Sequence, residues 1–372
     1  MKFTIEKAIL LKTLGHVQNI VEKRNTVPVL SNVRIEAGND GISFKATDMD
    51  TEITEIVDAK ILENGAITAP AHMLYDIVRK LSDGSEIELI YPDEKEQLSI
   101  ASGRSKFSLS TIGVEDFPVI SADTLPTNFE MNRDELKDVI DRTQFAASTE
   151  ETRYYLNGLY IHPKNEGETK VLRIVATDGH RLACVETPLP DGAADMEGVI
   201  LPRKTVGEIR KLLDDTSAES VQISLSDSKV RFTLADVTLA SKLIDGTYPD
   251  YERVIPTSND KILELNVKDL ATAVDRVSVV AERTRAIKMI ANKNHVIITT
   301  SSPDLGSAIE EIEATYDSES LEIGYNFRYL LDILAEIKGD TAKFSFSDGA
   351  SPSVIHDTSD AGAIYVLMPM RV

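Results

Sequence analysis

Apolar positions recur at three-to-four-residue spacing in six stretches of the chain and alternate with polar ones in the segments between. The first stretch runs from Glu6 to Lys23, with Leu10, Leu11, Leu14, Val17 and Val21 on one face, the pattern of an amphipathic helix. Asn132 to Ala146 and Asn266 to Ala281 read alike. Asn132 stands three residues before Glu135, a capping-box arrangement, and Asn266 three before Asp269, a weaker version. Shorter helices are expected over Ala71 to Leu81, Arg203 to Leu213 and Phe327 to Ile337, with Pro70 and Pro202 where a first-turn proline fits. Ile53 to Val57, Glu86 to Ile90, Val221 to Leu225, Val230 to Leu234 and Val296 to Thr300 alternate as strands between Asp-Gly, Gly-Asn-Asp and Ser-Asp-Ser turns.

The pattern repeats. Ala46-Thr47-Asp48 returns as Ala176-Thr177-Asp178, Ala69-Pro70 as Leu201-Pro202, and Phe117-Pro118 as Tyr248-Pro249, in order and at offsets of 130 to 132 residues. A weaker third copy runs through Val296 to Thr300 and Leu331 to Leu334, and one third of the 372 residues is 124. The expected fold class is therefore α+β, with three repeated domains, each of two helices backed by antiparallel sheets. The boundaries fall at 1–122, 128–255 and 260–372, with polar linkers at Ser121 to Asn128 and Pro256 to Asp260.

Charge sharpens this picture. The chain carries a formal net charge of -21, which repels phosphate backbones if it is evenly spread. It is not: taken with their flanking residues, over 6–24, 71–81, 132–146, 203–213, 266–283 and 326–338, the six helical stretches sum to +5, leaving -26 for strands and loops. Lysine and arginine are good helix formers, so solvated faces alone account for some segregation. A closed ring with sheets outside and helices inside makes more of it, a mildly positive lining within an acidic exterior that tolerates a polyanion passing through.

The single cysteine, Cys184, excludes an intramolecular disulfide and any cysteine-built metal site, which suits the reducing cytoplasm. No apolar run near the N-terminus is long enough for a signal core or a membrane span. An enzyme built on Asp178, His180 and Cys184 is the competing class. Against it, the Thr-Asp pair recurs at Thr47-Asp48 without the histidine, which makes it architecture. No phosphate loop or dinucleotide fingerprint is present, and the six histidines show no metal-ligand pairing. No metal, cofactor or catalytic activity is expected. An acidic peptide-binding scaffold that never encircles DNA is the remaining alternative.

Met1-Lys2-Phe3-Thr4, Phe107 to Thr111, Arg153 to Gly158, Ala176 to Leu182, Tyr248 to Tyr251 and the terminal Met368-Pro369-Met370-Arg371 together resemble the bacterial DNA polymerase III beta subunit family, the sliding clamps. The resemblance covers the whole chain. It implies a DNA clamp fold closed as a head-to-tail homodimer around double-stranded DNA and opened by an ATP-driven clamp-loader complex. The implied partners are the replicative polymerase catalytic subunit and other polymerases and repair proteins that carry short clamp-binding peptides. By motif, the peptide groove comprises Leu156, Thr177, Gly179, His180, Arg181, Leu182, Pro249, Arg253 and Val254, together with Val366, Met368, Pro369, Met370 and Arg371 of the tail. Adaptable methionines and apolar residues suit leucine and phenylalanine anchors, and arginines suit the peptide's polar atoms. The resemblance further implies DNA contact at Arg24, Tyr154 and Tyr155, and a ring joint in which Phe107 and Leu109 face Val279 and Val280 of the other chain. Read alone, Phe107 and Leu109 fit an intradomain core as well. Glu150 is acidic where a neutral contact is expected, and His72 and Met73 open a helix without the basic residues expected there, which argues against DNA contact through these three.

Overall fold

The computed structural model describes residues 1–372 apart from 24, 93–96, 119–123, 168 and 282–284, and the backbone alone of Glu166. Among the described residues are six helices, α1 (Lys7–Ile20), α2 (Ala71–Lys80), α3 (Arg133–Gln144), α4 (Arg203–Asp215), α5 (Val267–Ala281) and α6 (Phe327–Ala335). Each starts within one residue of its expected position. Leu10, Leu14, Val17 and Ile20 of α1 are fully buried, as the spacing required, and each contributes roughly 1.5 to 3 kcal/mol by leaving water.

The starts of the helices correct the placing of both prolines. Pro70 and Pro202 are the residues before α2 and α4, where each closes an edge strand (Gly65–Pro70 and Val199–Pro202) whose missing N–H costs the ladder nothing. Asn132 caps α3 through the N–H of Asp134 at 2.9 Å, and Glu135 accepts from the Thr187 hydroxyl. Asn266 caps α5 through the N–H groups of Lys268 and Asp269.

The chain forms two compact units, one of residues 1–134, 190–193 and 207–243, the other of 135–189, 194–206 and 244–372. They do not follow the repeats, because in each unit one sheet runs without interruption from a terminal repeat into the central one. In the first unit an eight-stranded antiparallel sheet pairs Thr51–Val57 with Val237–Lys242, placing Ile53 opposite Leu239. In the second, a nine-stranded sheet pairs Arg181–Pro188 with Asp360–Leu367, placing Leu182 opposite Val366. The remaining sheets have bare edges. Ser105–Ser110 ends a five-stranded sheet of the first unit, and Gly306–Glu313 ends a four-stranded sheet of the second.

The repeated Ala-Thr-Asp string builds the same turn twice. The Thr47 hydroxyl donates to the Thr51 carbonyl and accepts from the Met49 N–H, while Asp48 Oδ1 accepts from the N–H groups of Asp50 and Thr51. The Thr177 hydroxyl, Arg181 carbonyl, Gly179 N–H, Asp178 Oδ1 and the N–H groups of His180 and Arg181 reproduce every one of these bonds. The third residue is left-handed in both, at φ 80° for Met49 and 88° for Gly179, which explains the glycine in one copy and marks the methionine as strained.

Each unit buries a charged cluster. In the first, His16 of α1 lies 2.7 Å from Glu55 and 3.3 Å from Asp215 of α4, and Thr13 donates to Glu55 at 2.9 Å. Burial opposes the imidazolium, but the bonds and charge of Glu55 and Asp215 outweigh it and hold His16 above the usual 6.5. In the second, Arg142 of α3 reaches Asp360 at 2.8 Å and Asp138 at 3.4 Å, and Lys338 also pairs with Asp138. Burial, seconded by Asp141, Asp138 and Asp332 against Arg142, pushes Glu336 up to about 7.

Candidate functional site

The residues proposed for the groove gather within the second unit around one apolar cluster. Leu156, Leu182 and Val366 are buried together with Val175, Cys184, Ile200, Tyr248 and Tyr251. They form a floor, and the exposed groups stand at its margins. Val254 is 51% exposed and Met368 41%, with Gly179, His180, Pro249 and Arg253 also exposed. Exposed apolar side chains bordering a buried apolar floor are what a short peptide with leucine-sized anchors needs.

Register puts Met368 beside the turn. The Leu182 to Val366 pairing carries the final strand alongside Arg181–Pro188, and the Met368 N–H then donates to the His180 carbonyl at 2.9 Å. Beyond this point the tail also meets the third repeat. Met370 donates to the Gly324 carbonyl at 2.9 Å, and a Cβ on Gly324 would lie 2.3 Å from the Met370 oxygen and 2.6 Å from a Val372 methyl. Pro369, Met370 and Arg371 thus lie beside the strand Leu321–Asn326, where Gly324, having no side chain, admits the backbone of Met370.

Arg181, named among the arginines that suit a peptide's polar atoms, is engaged within the chain. Its guanidinium donates to Asp178 at 3.1 Å and to the Phe145 carbonyl at 2.6 Å, pairs with Asp332, and lies over the rings of Phe145 and Tyr329. Arg253 remains outward, 84% exposed at its side chain and paired only with Asp250 three residues earlier. Tyr329, stacked near His180 at 6.2 Å between centroids, borders the same margin and was not singled out from the sequence. Its signal was weak: one aromatic on a helix already explained by core packing.

Of the three positions proposed for DNA contact, Arg24 lies outside the described residues. Tyr154 is half exposed, whereas Tyr155 packs against the apolar floor, edge-on to Tyr154 at 5.7 Å. Glu150, the unexpected acid, pairs with Arg153 at 2.7 Å. His72 lies 3.0 Å from the Val21 carbonyl and joins α2 to the end of α1, while Met73 is exposed.

At the bare edges, Phe107 is exposed and Leu109 half-buried on Ser105–Ser110, with Val279 of α5 73% exposed and Val280 half-buried. Ile309, 71% exposed on Gly306–Glu313, was missed by the sequence reading although Glu311 and Glu313, two and four residues on and exposed on the same face, mark an edge strand. The enzyme constellation does not assemble. Cys184 is buried in the apolar floor, Asp178 is engaged by its own turn, and His180 points outward. Among the described residues no group of histidine, cysteine and carboxylate side chains could hold a metal ion, and no helix is long and apolar enough to cross a membrane.

Comparison with known proteins places these observations. Three family models match in sequence order, the N-terminal domain of the DNA polymerase III beta subunit over residues 1–121, its central domain over 130–250 and its C-terminal domain over 252–371. The beta sliding clamp of Caulobacter vibrioides is 50% identical over the full length of both chains, that of Pseudomonas aeruginosa 37% and that of Escherichia coli K12 35%. Among solved structures, a Caulobacter crescentus beta sliding clamp superposes with a TM-score of 0.97 at 50% identity, covering 100% of this chain and 99% of that one. A Bartonella birtlesii sliding clamp bound to griselimycin superposes at 0.96 with 48% identity and full coverage of both.

Proposed function

Because the chain belongs over its whole length to the DNA polymerase III beta subunit family, we propose that it acts as a DNA sliding clamp, a head-to-tail homodimer that encloses duplex DNA and tethers a polymerase to it. The observation that carries the closure is the pattern of used and unused strand edges. Inside the chain, the strand that follows an Ala-Thr-Asp turn pairs with the last strand of the next repeat, Thr51–Val57 with Val237–Lys242 and Arg181–Pro188 with Asp360–Leu367. By the same rule Gly306–Glu313 calls for a strand like Ser105–Ser110, and among the described residues each of these two stands outermost in its sheet. A second copy supplies each with the other. Phe107 and Leu109 then meet the face made by Val279, Val280 and Ile309, burying exposed apolar surface that water otherwise covers.

The three repeats, 1–122, 128–255 and 260–372, act as the units of this ring, with the exposed Tyr154 facing the DNA. Helical stretches that sum to only +5 hold phosphate weakly, so retention comes from enclosure. The work requires no bond to be made or broken, hence no catalytic residue, and a clamp loader opens the ring. Partners bind over the floor of Leu156, Leu182 and Val366, between the Thr177 to Leu182 turn, Pro249, Arg253 and Val254, and the tail from Met368. Griselimycin, held by the Bartonella relative, is a compound to test there first. The cytoplasm, where chromosome and polymerase meet, is the compartment this role requires.

The test is topological. Protein loaded on a nicked circle should survive a salt wash and be released when the circle is cut. Equal loss from intact and cut circles would remove the clamp mechanism and leave a peptide-binding scaffold.

A further inference from the structure

The groove wall formed by Pro249 to Val254 is not held in place by its own backbone. Tyr251–Val254 is a four-residue 3-10 segment whose preceding residue, Asp250, makes no capping bond. Such a segment is too short to fix its own position. What fixes it lies beneath. Arg173, on the strand Thr169–Thr177 and 7% exposed, donates through one nitrogen to the Tyr251 hydroxyl at 3.2 Å and to Glu252 at 2.8 Å. The far side of the same guanidinium is held by Glu186, with Nε at 2.8 Å, from the strand Arg181–Pro188. Lys164 adds a second cation to Glu252, and His162 Nε2 lies 2.8 Å from the Tyr251 hydroxyl. Tyr160 stacks on Tyr248 at 4.7 Å and 7°, clamping the chain just before the segment.

We infer that Arg173 is a positioning residue for partner binding: it ties the wall segment that presents Val254 and Arg253 to the sheet that carries Leu182. The inference rests on the groove reading given above. Its physical basis is that one buried guanidinium separates two carboxylates, Glu186 on the floor side and Glu252 on the wall side. Removing it leaves the two acids facing each other around the Tyr251 hydroxyl, and repulsion with desolvation drives the exposed member, Glu252, outward with the whole segment. Val254 then no longer stands at the height an anchor needs. Lysine can satisfy one carboxylate but not both, since it lacks the planar fork.

The experiment titrates a fluorescein-labelled peptide with leucine and phenylalanine anchors against Arg173→Met, Arg173→Lys, Val254→Ala, Met368→Ala and the Arg173→Met, Val254→Ala double variant, with mass and melting temperature measured for each. Arg173→Met should weaken binding about tenfold, with Arg173→Lys between it and the parent, and the loss should shrink to within about twofold when Val254 is already alanine. Parental affinity in Arg173→Met, or an undiminished loss in the double variant, overturns the inference while leaving the groove standing. Parental affinity in both Val254→Ala and Met368→Ala overturns the groove itself, and the role of Arg173 with it. Should Arg173→Met fail to fold, Glu252→Gln cuts the same tie from the exposed side and should weaken the peptide at least about threefold; parental affinity there overturns the inference equally.

Discussion

The N–H of Met368 donates to the carbonyl of His180 at 2.9 Å, so the ladder that holds the final strand is carried one residue further, to the margin of the groove. Deleting Met368 to Val372 removes that bond and the exposed methionine but no residue of the bare edges and no helix. Losing the walls around one leucine-sized anchor should weaken a peptide by roughly tenfold to a hundredfold. Anisotropy titration with light scattering in parallel checks it: parental affinity in a still-dimeric truncation would show that the tail is not part of the site.

Phe107→Glu, Val279→Glu and Ile309→Glu each place a carboxylate where the second copy is proposed to cover apolar surface. An unpaired buried charge costs several kcal/mol, enough to dissociate an interface of ordinary size. Monomers with unchanged circular dichroism are expected. A parental mass for all three at micromolar concentration would mean that closure uses another surface.

Glu336 gives a pH dependence with a definite sign. Its native value of about 7 lies above 4.5, so between those values the native protein keeps a proton that the unfolded chain has released, and stability falls as pH rises through that window. Glu336→Gln is neutral at every pH and should raise stability near pH 8 by on the order of 2 kcal/mol, with little change near pH 4. Urea unfolding at the two pH values decides it; equal curves for parent and variant near pH 8 would contradict burial as the cause.

His16 acts in the same direction for a different reason. Held above 6.5 by Glu55 and Asp215, it contributes its full stabilisation below 6.5 and loses it as pH rises through the raised native value. His16→Gln should therefore flatten the fall in melting temperature above 6.5. A fall of undiminished size in the variant would assign it to other groups.

Much of this was legible in the sequence because it is local. Leu10, Leu14 and Val17 announce α1 by spacing alone, and Thr47-Asp48 and Thr177-Asp178 announce one turn because every hydrogen bond in it closes within five residues. Asn326, which caps α6 through the N–H of Arg328, was as legible and passed unread. What sequence could not disclose was pairing across distance. Arg181 was legible only as a groove residue by motif, because Asp332 lies 151 residues away, and nothing in the spacing ties Arg173 to its partners in the wall, 78 and 79 residues on. Gly324 carried no visible meaning until Met370 lay across it.

The two bare edges also constrain assembly beyond the dimer. Ser105–Ser110 and Gly306–Glu313 are different surfaces, so each copy that joins leaves one of each still open until the last contact is made. Contacts of this kind end in a circle only if the bend accumulated along each chain brings the final edge back to the first; otherwise they run on as a filament. Each chain's share of that bend passes through its internal strand pairings, which set Ile53 opposite Leu239 and Leu182 opposite Val366. Repacking either pair is expected to change the number of copies in the closed assembly without touching a residue of the edges, and light scattering would read the change.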